Sequence, residues 1–377
     1  MSILVSYVGK RMKVILMPST TENVGVSIHV LNLAKLLNSM NMLELVLCPK
    51  DGWLCRELQK NNISFKVLEL SFRPKDYFTS VMKLDAYLAK FSKNTSIHLH
   101  GRFPLFLSLY SMMYRKNLNF FYTIHEFSSA HIDGFLRWKY ILEKYLLSKV
   151  KKIAFVSFSL AEEVKKNLPT KLHSKCFTIY NFIEKFEYDY KSNDMQGTIK
   201  ICSIGRLIEE KGFQYNLLAV QALVNLGYRI HYDIFGDGPY YSELFHMINR
   251  YKLEKSVTLK GNVDNKTLRL QLNEYDMLLI HSKREAFGLT ALEAFNAKVP
   301  VIATNVSGLN EIVVDKETGL LVEYGDINYL VESIQLLILN TEIRRNIIDT
   351  AYNLFSSLSD ENKLKSFYTQ FYTSGKI

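Results

Sequence analysis

Short apolar runs alternate with amphipathic stretches along most of the chain. The first run, 13–17, is followed by a turn-rich loop from Pro18 to Gly25 and then by apolar positions at Ile28, Leu31, Leu33, Ala34 and Leu37. That spacing predicts a strand and then an amphipathic helix. The alternation continues, with strands expected at 44–48, 64–70, 96–100, 119–124, 152–157 and 176–180 and helices at 75–92, 105–114, 135–149 and 160–167. Residues 184–196 break the rhythm with a polar and aromatic stretch that Gly197 closes. It then restarts, with strands at 199–204, 229–235, 256–260, 277–281 and 299–304 and helices at 212–226, 240–252, 265–273 and 288–297. Strands alternating with helices imply an α/β chain whose parallel sheets are covered on both faces. The break sets a first domain at 1–184, a linker at 185–198 and a second domain at 199–360. A ligand held at the carboxyl ends of the strands suits two such halves facing across a cleft.

A chain of 377 residues is long for one hydrophobic core and comfortable for two. Its 48% hydrophobic and 22% charged residues are those of a globular protein. No uncharged apolar run reaches the roughly 18 residues that a membrane span needs. The apolar start, Met1 to Val8, is short, and Lys10 and Arg11 follow it rather than precede it, so a signal peptide is not expected. Cys48, Cys55, Cys176 and Cys202 form no C-x-x-C pair and read as reduced thiols of a cytoplasmic protein. The net charge of +10 is uneven: residues 1–190 carry 27 Lys+Arg against 15 Asp+Glu, residues 191–377 carry 20 against 22. A basic first half seeks an anionic partner.

The second half carries the chemistry. Gly205 and Arg206 follow a predicted strand directly, and Lys211 precedes a helix. Arg offers a rigid fork and Lys a mobile point charge, together suited to a diphosphate. Gly236, Asp237, Gly238 and Pro239 make a tight turn at the same sheet edge. In the segment 280–295, a helix is expected to begin at Gly288, so the backbone N–H groups of Gly288, Leu289 and Thr290 make an anion site. Glu285 lies ahead of that helix and Glu293 inside it, eight residues apart. Leu289, Leu292 and Phe295 mark the helix as largely buried, and a carboxylate there needs a partner.

These motifs, in this order, resemble glycosyltransferase family 4. The residues that carry the resemblance are Gly205-Arg206-Leu207 with Lys211-Gly212, Gly236 to Pro239, Glu285 and Glu293 with Phe287-Gly288, Pro300 to Ala303, Gly308 with Glu311, and Thr318-Gly319. The first half matches less closely: where the family usually has a glycine pair, Val24 and Gly25 stand. His125 resembles the strand-end histidine that faces the donor sugar. The resemblance implies the GT-B fold, two Rossmann-like domains with a helix in 361–377 crossing back to the first, and transfer with retention. Glu285, His125, Arg206 and Lys211 would be catalytic. Gly25, Gly205, Arg206, Lys211, Gly236, Gly238, Glu285, Phe287, Gly288, Leu289, Thr290 and Glu293 would hold the nucleotide sugar, Glu293 at its ribose and Glu285 at the transferred sugar. No D-x-D motif is present. The family generally needs no metal and no cofactor, so none is expected.

The function so implied is a hexosyltransferase-type step in bacterial surface polysaccharide synthesis (O-antigen, lipopolysaccharide, capsule or exopolysaccharide), on a saccharide or polyprenyl-diphosphate-linked acceptor. The alternative is a sugar-nucleotide epimerase of the same fold. A nicotinamide dehydrogenase would need G-x-G-x-x-G after the first strand, which 18–25 lacks. A nucleic-acid-binding role leaves Glu285 and Glu293 unexplained, so no nucleic acid partner is expected. Residues 135–152 combine Trp138, Tyr140 and Tyr145 with Arg137, Lys139, Lys144, Lys149, Lys151 and Lys152. That pairing suits an interfacial helix, and with the basic half it predicts a peripheral protein at the inner face of the plasma membrane.

Overall fold

The computed structural model describes residues 12–71, 73–92, 95–126, 137–188, 195 and 197–373. The chain divides into two compact units, one of residues 1–156, 160–179 and 361–377, the other of 157–159 and 180–360.

The first unit runs β1 (Lys13–Pro18), α1 (Gly25–Ser39), β2 (Leu43–Cys48), α2 (Trp53–Lys60), β3 (Phe65–Val67), α3 (Pro74–Leu88), β4 (Thr95–His100), α4 (Arg102–Leu107), α5 (Leu109–Tyr114), β5 (Asn119–Ile124), α6 (Arg137–Lys149), β6 (Lys152–Phe155), α7 (Phe158–Lys165) and β7 (Cys176–Thr178). Its strands pair in parallel in the order β3-β2-β1-β4-β5-β6-β7. The second unit runs β8 (Ile199–Ile204), α8 (Phe213–Asn225), β9 (Ile230–Phe235), α9 (Tyr241–Arg250), β10 (Val257–Gly261), α10 (Asn265–Leu272), β11 (Met277–Ile280), α11 (Leu289–Asn296), β12 (Val301–Thr304), β13 (Leu320–Val322), α12 (Ile327–Leu339) and α13 (Thr341–Leu358). Its parallel order is β10-β9-β8-β11-β12-β13. The last helix, α14 (Glu361–Tyr372), belongs to the first unit.

Both sheets reverse their strand order once, between β1 and β4 and between β8 and β11. The two loops leaving such a pair diverge over opposite faces, which opens a crevice at the carboxyl ends of the strands. Central strands such as β4 and β12 are buried throughout, because helices cover both faces of a parallel sheet. In the second unit Leu217, Val220, Ile234, Met277, Ile302 and Ile334 meet in one core. In the first, Phe371 and Tyr372 of α14 pack their rings on Phe121 at 5.3 and 5.2 Å. Lys152 donates to the Gln370 carbonyl at 2.9 Å.

Several local features differ from the sequence expectation, which did not include α12 and α13. Helix α2 was not anticipated, since its Arg56, Glu57 and Lys60 leave only Leu54, Cys55 and Leu58 to face inward. The helix expected at 105–114 is two, α4 and α5, separated at Ser108, whose ψ of 0° departs from the helical value. The strand expected at 64–70 shortens to the sheet-edge β3. Part of the predicted interfacial segment, 135–136, lies outside the described residues, as do the side chains of Arg137, Trp138, Lys139 and Tyr140. Among the described residues no helix is long and apolar enough to cross a membrane.

Candidate active site

In the second unit the loops that leave β8, β9, β11 and β12 meet at their backbones. Gly205 N–H donates to the Phe235 carbonyl at 2.9 Å, and Leu207 N–H to the Asp237 carbonyl at 3.0 Å. A Cβ on Gly236 would sit 1.8 Å from the Gly205 carbonyl oxygen, and one on Gly238 2.3 Å from that of Leu207. No side chain fits such a gap, so these two glycines are required by contact. Gly212, at φ +69°, begins α8, and its Cβ would lie 2.0 Å from the His281 carbonyl oxygen. Gly308 presses on the Glu285 carbonyl in the same way, at 2.3 Å. Gly205 itself has ordinary space, its Cβ meeting only the Phe213 ring at 3.7 Å.

This lacing sets the side chains. Lys211 Nζ lies 2.5 Å from Glu285 Oε2, joining the loop after β8 to the loop after β11 where the strand order reverses. Both side chains are about a quarter exposed, at 27% and 23%. Arg206, on the same loop after β8, is exposed. Gly288 N-caps α11 at φ +98°. The first turn of that helix places the Gly288, Leu289 and Thr290 N–H groups at the same sheet end, where they can receive an anion. Phe287 is buried, its ring 5.7 Å from that of Tyr180. It therefore fixes the loop by packing and offers a ligand only its backbone.

Glu293 is 7% exposed. Burial raises its pKa, and the Arg269 guanidinium, with Nη2 3.4 Å from Oε1, pulls the other way. Arg269 is the partner that the buried carboxylate demanded. Sequence reading did not name it, because it lies on α10, 24 residues away, as one cation among Leu268, Leu270 and Leu272. His281 was also missed. Its Nε2 accepts from the Gly325 N–H at 2.9 Å, which fixes the neutral ring against the loop that precedes α12.

In the first unit Gly25 opens α1 and is exposed. His125 follows β5, partly buried, with Nε2 3.1 Å from His100 Nδ1 at the end of β4. His98 and His100 share one face of β4, ring centroids 4.2 Å apart, as residues two apart on a strand must. His98 Nδ1 lies 2.6 Å from Tyr372 Oη and Nε2 2.7 Å from Thr123 Oγ1. Burial first, then the neighbouring imidazoles, holds the pKa of His98, His100 and His125 well below the usual histidine range.

Residues 184–354 match the family described as glycosyl transferases group 1, and residues 24–185 match glycosyltransferase family 4. An uncharacterised 41.2 kDa protein in the cps region of Klebsiella pneumoniae is 32% identical over 264 residues, 64% of this chain and 69% of its own length. The capsular polysaccharide biosynthesis glycosyltransferase CapM of Staphylococcus aureus is 26% identical over 268 residues, 66% of this chain and 70% of its own. Among solved structures, HepE of Anabaena in complex with UDP and glucose superposes with a TM-score of 0.82 at 19% identity, covering 97% of this chain and 100% of that one. The fold is GT-B.

His281 gives the second unit a pH dependence. Burial pulls its pKa down to about 4. The unfolded chain, near 6.5, binds the proton first, so stability is full above pH 6.5 and falls as pH drops toward 4. The full shift corresponds to about 3 kcal/mol. Urea melts of the wild type and of His281→Gln, whose amide can still accept from Gly325, are expected to differ in slope over this interval, the variant being flatter. Parallel pH profiles would remove the assignment.

Proposed function

Because the chain belongs to glycosyltransferase family 4, we propose that this glycosyltransferase moves a hexose, with retention, from a nucleotide sugar to a lipid-linked saccharide during bacterial surface polysaccharide assembly. The observation that carries the reading is the Lys211–Glu285 pair at the point where the sheet reverses, between two glycine-laced loops. Lys211 and Arg206 bind the donor diphosphate, with the N-terminus of α11 facing the same charge. Glu285 accepts hydrogen bonds from hydroxyls of the transferred sugar and Glu293 from the ribose diol; the family resemblance assigns Gly25 to the phosphate and His125 to the sugar. The UDP and glucose bound by HepE support a nucleotide sugar as donor.

In the transfer the acceptor oxygen bonds to the anomeric carbon on the face from which the diphosphate leaves. The carbon–oxygen bond to the phosphate breaks, and the acceptor proton passes to a phosphate oxygen. Two cations and a helix end offset the charge that develops on the leaving group, so the step needs no metal or other cofactor. The epimerase alternative gains no support from the relatives, one of which is named for capsular polysaccharide biosynthesis.

Lys211→Ala removes one charge-assisted contact to that developing charge. Turnover is expected to fall about a hundredfold, roughly 3 kcal/mol, with the fold intact. Wild-type turnover is expected to persist in EDTA. A Lys211→Ala enzyme near wild-type rate, or loss of activity in EDTA that magnesium restores, contradicts this account.

The acceptor side rests on the first unit. Helix α3 packs on α4 and α5, and α5 on α6. These helices expose Phe78, Met113, Tyr114, Ile141 and Tyr145, of which Phe78, Tyr114 and Ile141 are more than 60% exposed. Lys149 Nζ sits 4.8 Å over the Tyr145 ring. Lys152 is not part of this surface, being tied to α14 through Gln370. An apolar surface with aromatic rings and lysines supports peripheral attachment to an anionic leaflet at the cytoplasmic side. Each basic residue there contributes about 1 kcal/mol. Sedimentation with phosphatidylglycerol vesicles is expected to fall steeply with salt and to weaken when Ile141→Ser is combined with Lys149→Gln and Lys151→Gln. Protein that stays in the supernatant at low salt would show that the acceptor is met in solution.

A further inference from the structure

The reversal point of the first sheet holds three imidazoles from three elements: His29 of α1, His100 at the end of β4 and His125 just after β5. Each offers one ring nitrogen, and the three nitrogens lie within 4.8 Å of one another. Ring centroids are 4.8 Å apart for His29 and His125 and 5.3 Å for His29 and His100. The closest pair, His100 Nδ1 and His125 Nε2, is 3.1 Å apart. Ligand nitrogens around a tetrahedral ion with bonds of about 2.0–2.1 Å stand roughly 3.4 Å apart. One pair is therefore close to that spacing already, and the nitrogen of His29 lies within 4.8 Å of both.

Two further observations point to a ligand. His100 Nε2, the ring nitrogen other than the one facing His125, is buried without a hydrogen-bond partner among the described residues, so no second bond holds the ring in its present orientation and either nitrogen can be turned to an ion. His98 stacks behind His100 at 4.2 Å and is itself fastened to Tyr372 and Thr123. That supports the cluster much as outer partners fix the rings of metal-bound histidines. The environment also keeps His100 and His125 neutral, the form that binds metal.

The geometry points to a transition-metal site at His29, His100 and His125 that takes an ion of the Zn2+ class. Three imidazoles without a carboxylate among them favour zinc, copper, nickel or cobalt over magnesium or calcium. His125 is the most accessible of the three. The site stands apart from the transfer reading. Its consequence, loss of transfer when Zn2+ is bound, rests on the placement of His125 at the donor sugar.

Titration of Co2+ into the metal-free full-length protein tests it through the visible absorption that tetrahedral Co2+ shows, with Zn2+ as competitor. A saturable band is expected that Zn2+ displaces and Mg2+ does not. His29→Gln and His100→Gln should each weaken binding by at least about a hundredfold, since losing even an outer partner costs ten- to a hundredfold. His246→Gln, on α9 of the other unit, should bind as the wild type does. Circular dichroism confirms folding of each variant, and the two cluster variants lie on different elements, so one misfolded protein does not decide the outcome. The absence of a saturable band, or a band retained in both cluster variants, overturns the site. Zn2+ that binds without slowing transfer counts against the placement of His125 and leaves the site standing.

Discussion

The second domain depends on backbones that approach one another too closely for a Cβ. Gly236 meets the Gly205 carbonyl, Gly238 that of Leu207, Gly212 that of His281, and Gly308 that of Glu285. Each contact joins a loop after one strand to a loop or strand end beside it. Together they turn four loops, which would otherwise move independently, into one rigid rim at the carboxyl end of the sheet. The polar side chains on that rim inherit their positions from the contacts beneath them. Lys211 reaches Glu285 because Gly212 seats against His281 and Lys283 N–H donates to the Glu210 carbonyl at 2.7 Å.

A rim of this kind suits electrostatic work. A long lysine held by a carboxylate at 2.5 Å has lost much of its rotamer freedom before any ligand arrives. The buried Glu293 shows the same economy of placement: the Arg269 guanidinium of α10 lies 3.4 Å from it. In the proposed reaction these groups meet a diphosphate and sugar hydroxyls without having to be gathered.

The alternation of strands and helices was legible in the sequence because parallel strands buried on both faces read as apolar runs and their covering helices as amphipathic ones. Helix α2 was not, since its inward face is only Leu54, Cys55 and Leu58. The loops that bear Arg206, Lys211 and Glu285 could be found from their glycines, whose spacing records backbone approach. What the glycines touch could not, because Gly236 and Gly205 are partners only once β8 and β9 pair. Arg269 stayed hidden for the same reason. The spacing of two between His98 and His100 puts both on one face of β4, whereas His29 and His125 join them only through the order of the strands.

The central claim is that the glycine-laced rim of the second domain holds the donor. Calorimetric titration of nucleoside diphosphates into the wild type and Gly236→Ala tests it most directly. A Cβ placed 1.8 Å from the Gly205 carbonyl, at a φ of +137°, forces the loops after β8 and β9 apart. The account predicts that the variant remains folded by circular dichroism while its nucleotide affinity drops at least tenfold, about 1.4 kcal/mol. A folded Gly236→Ala protein that binds the nucleotide as tightly as the wild type would contradict it.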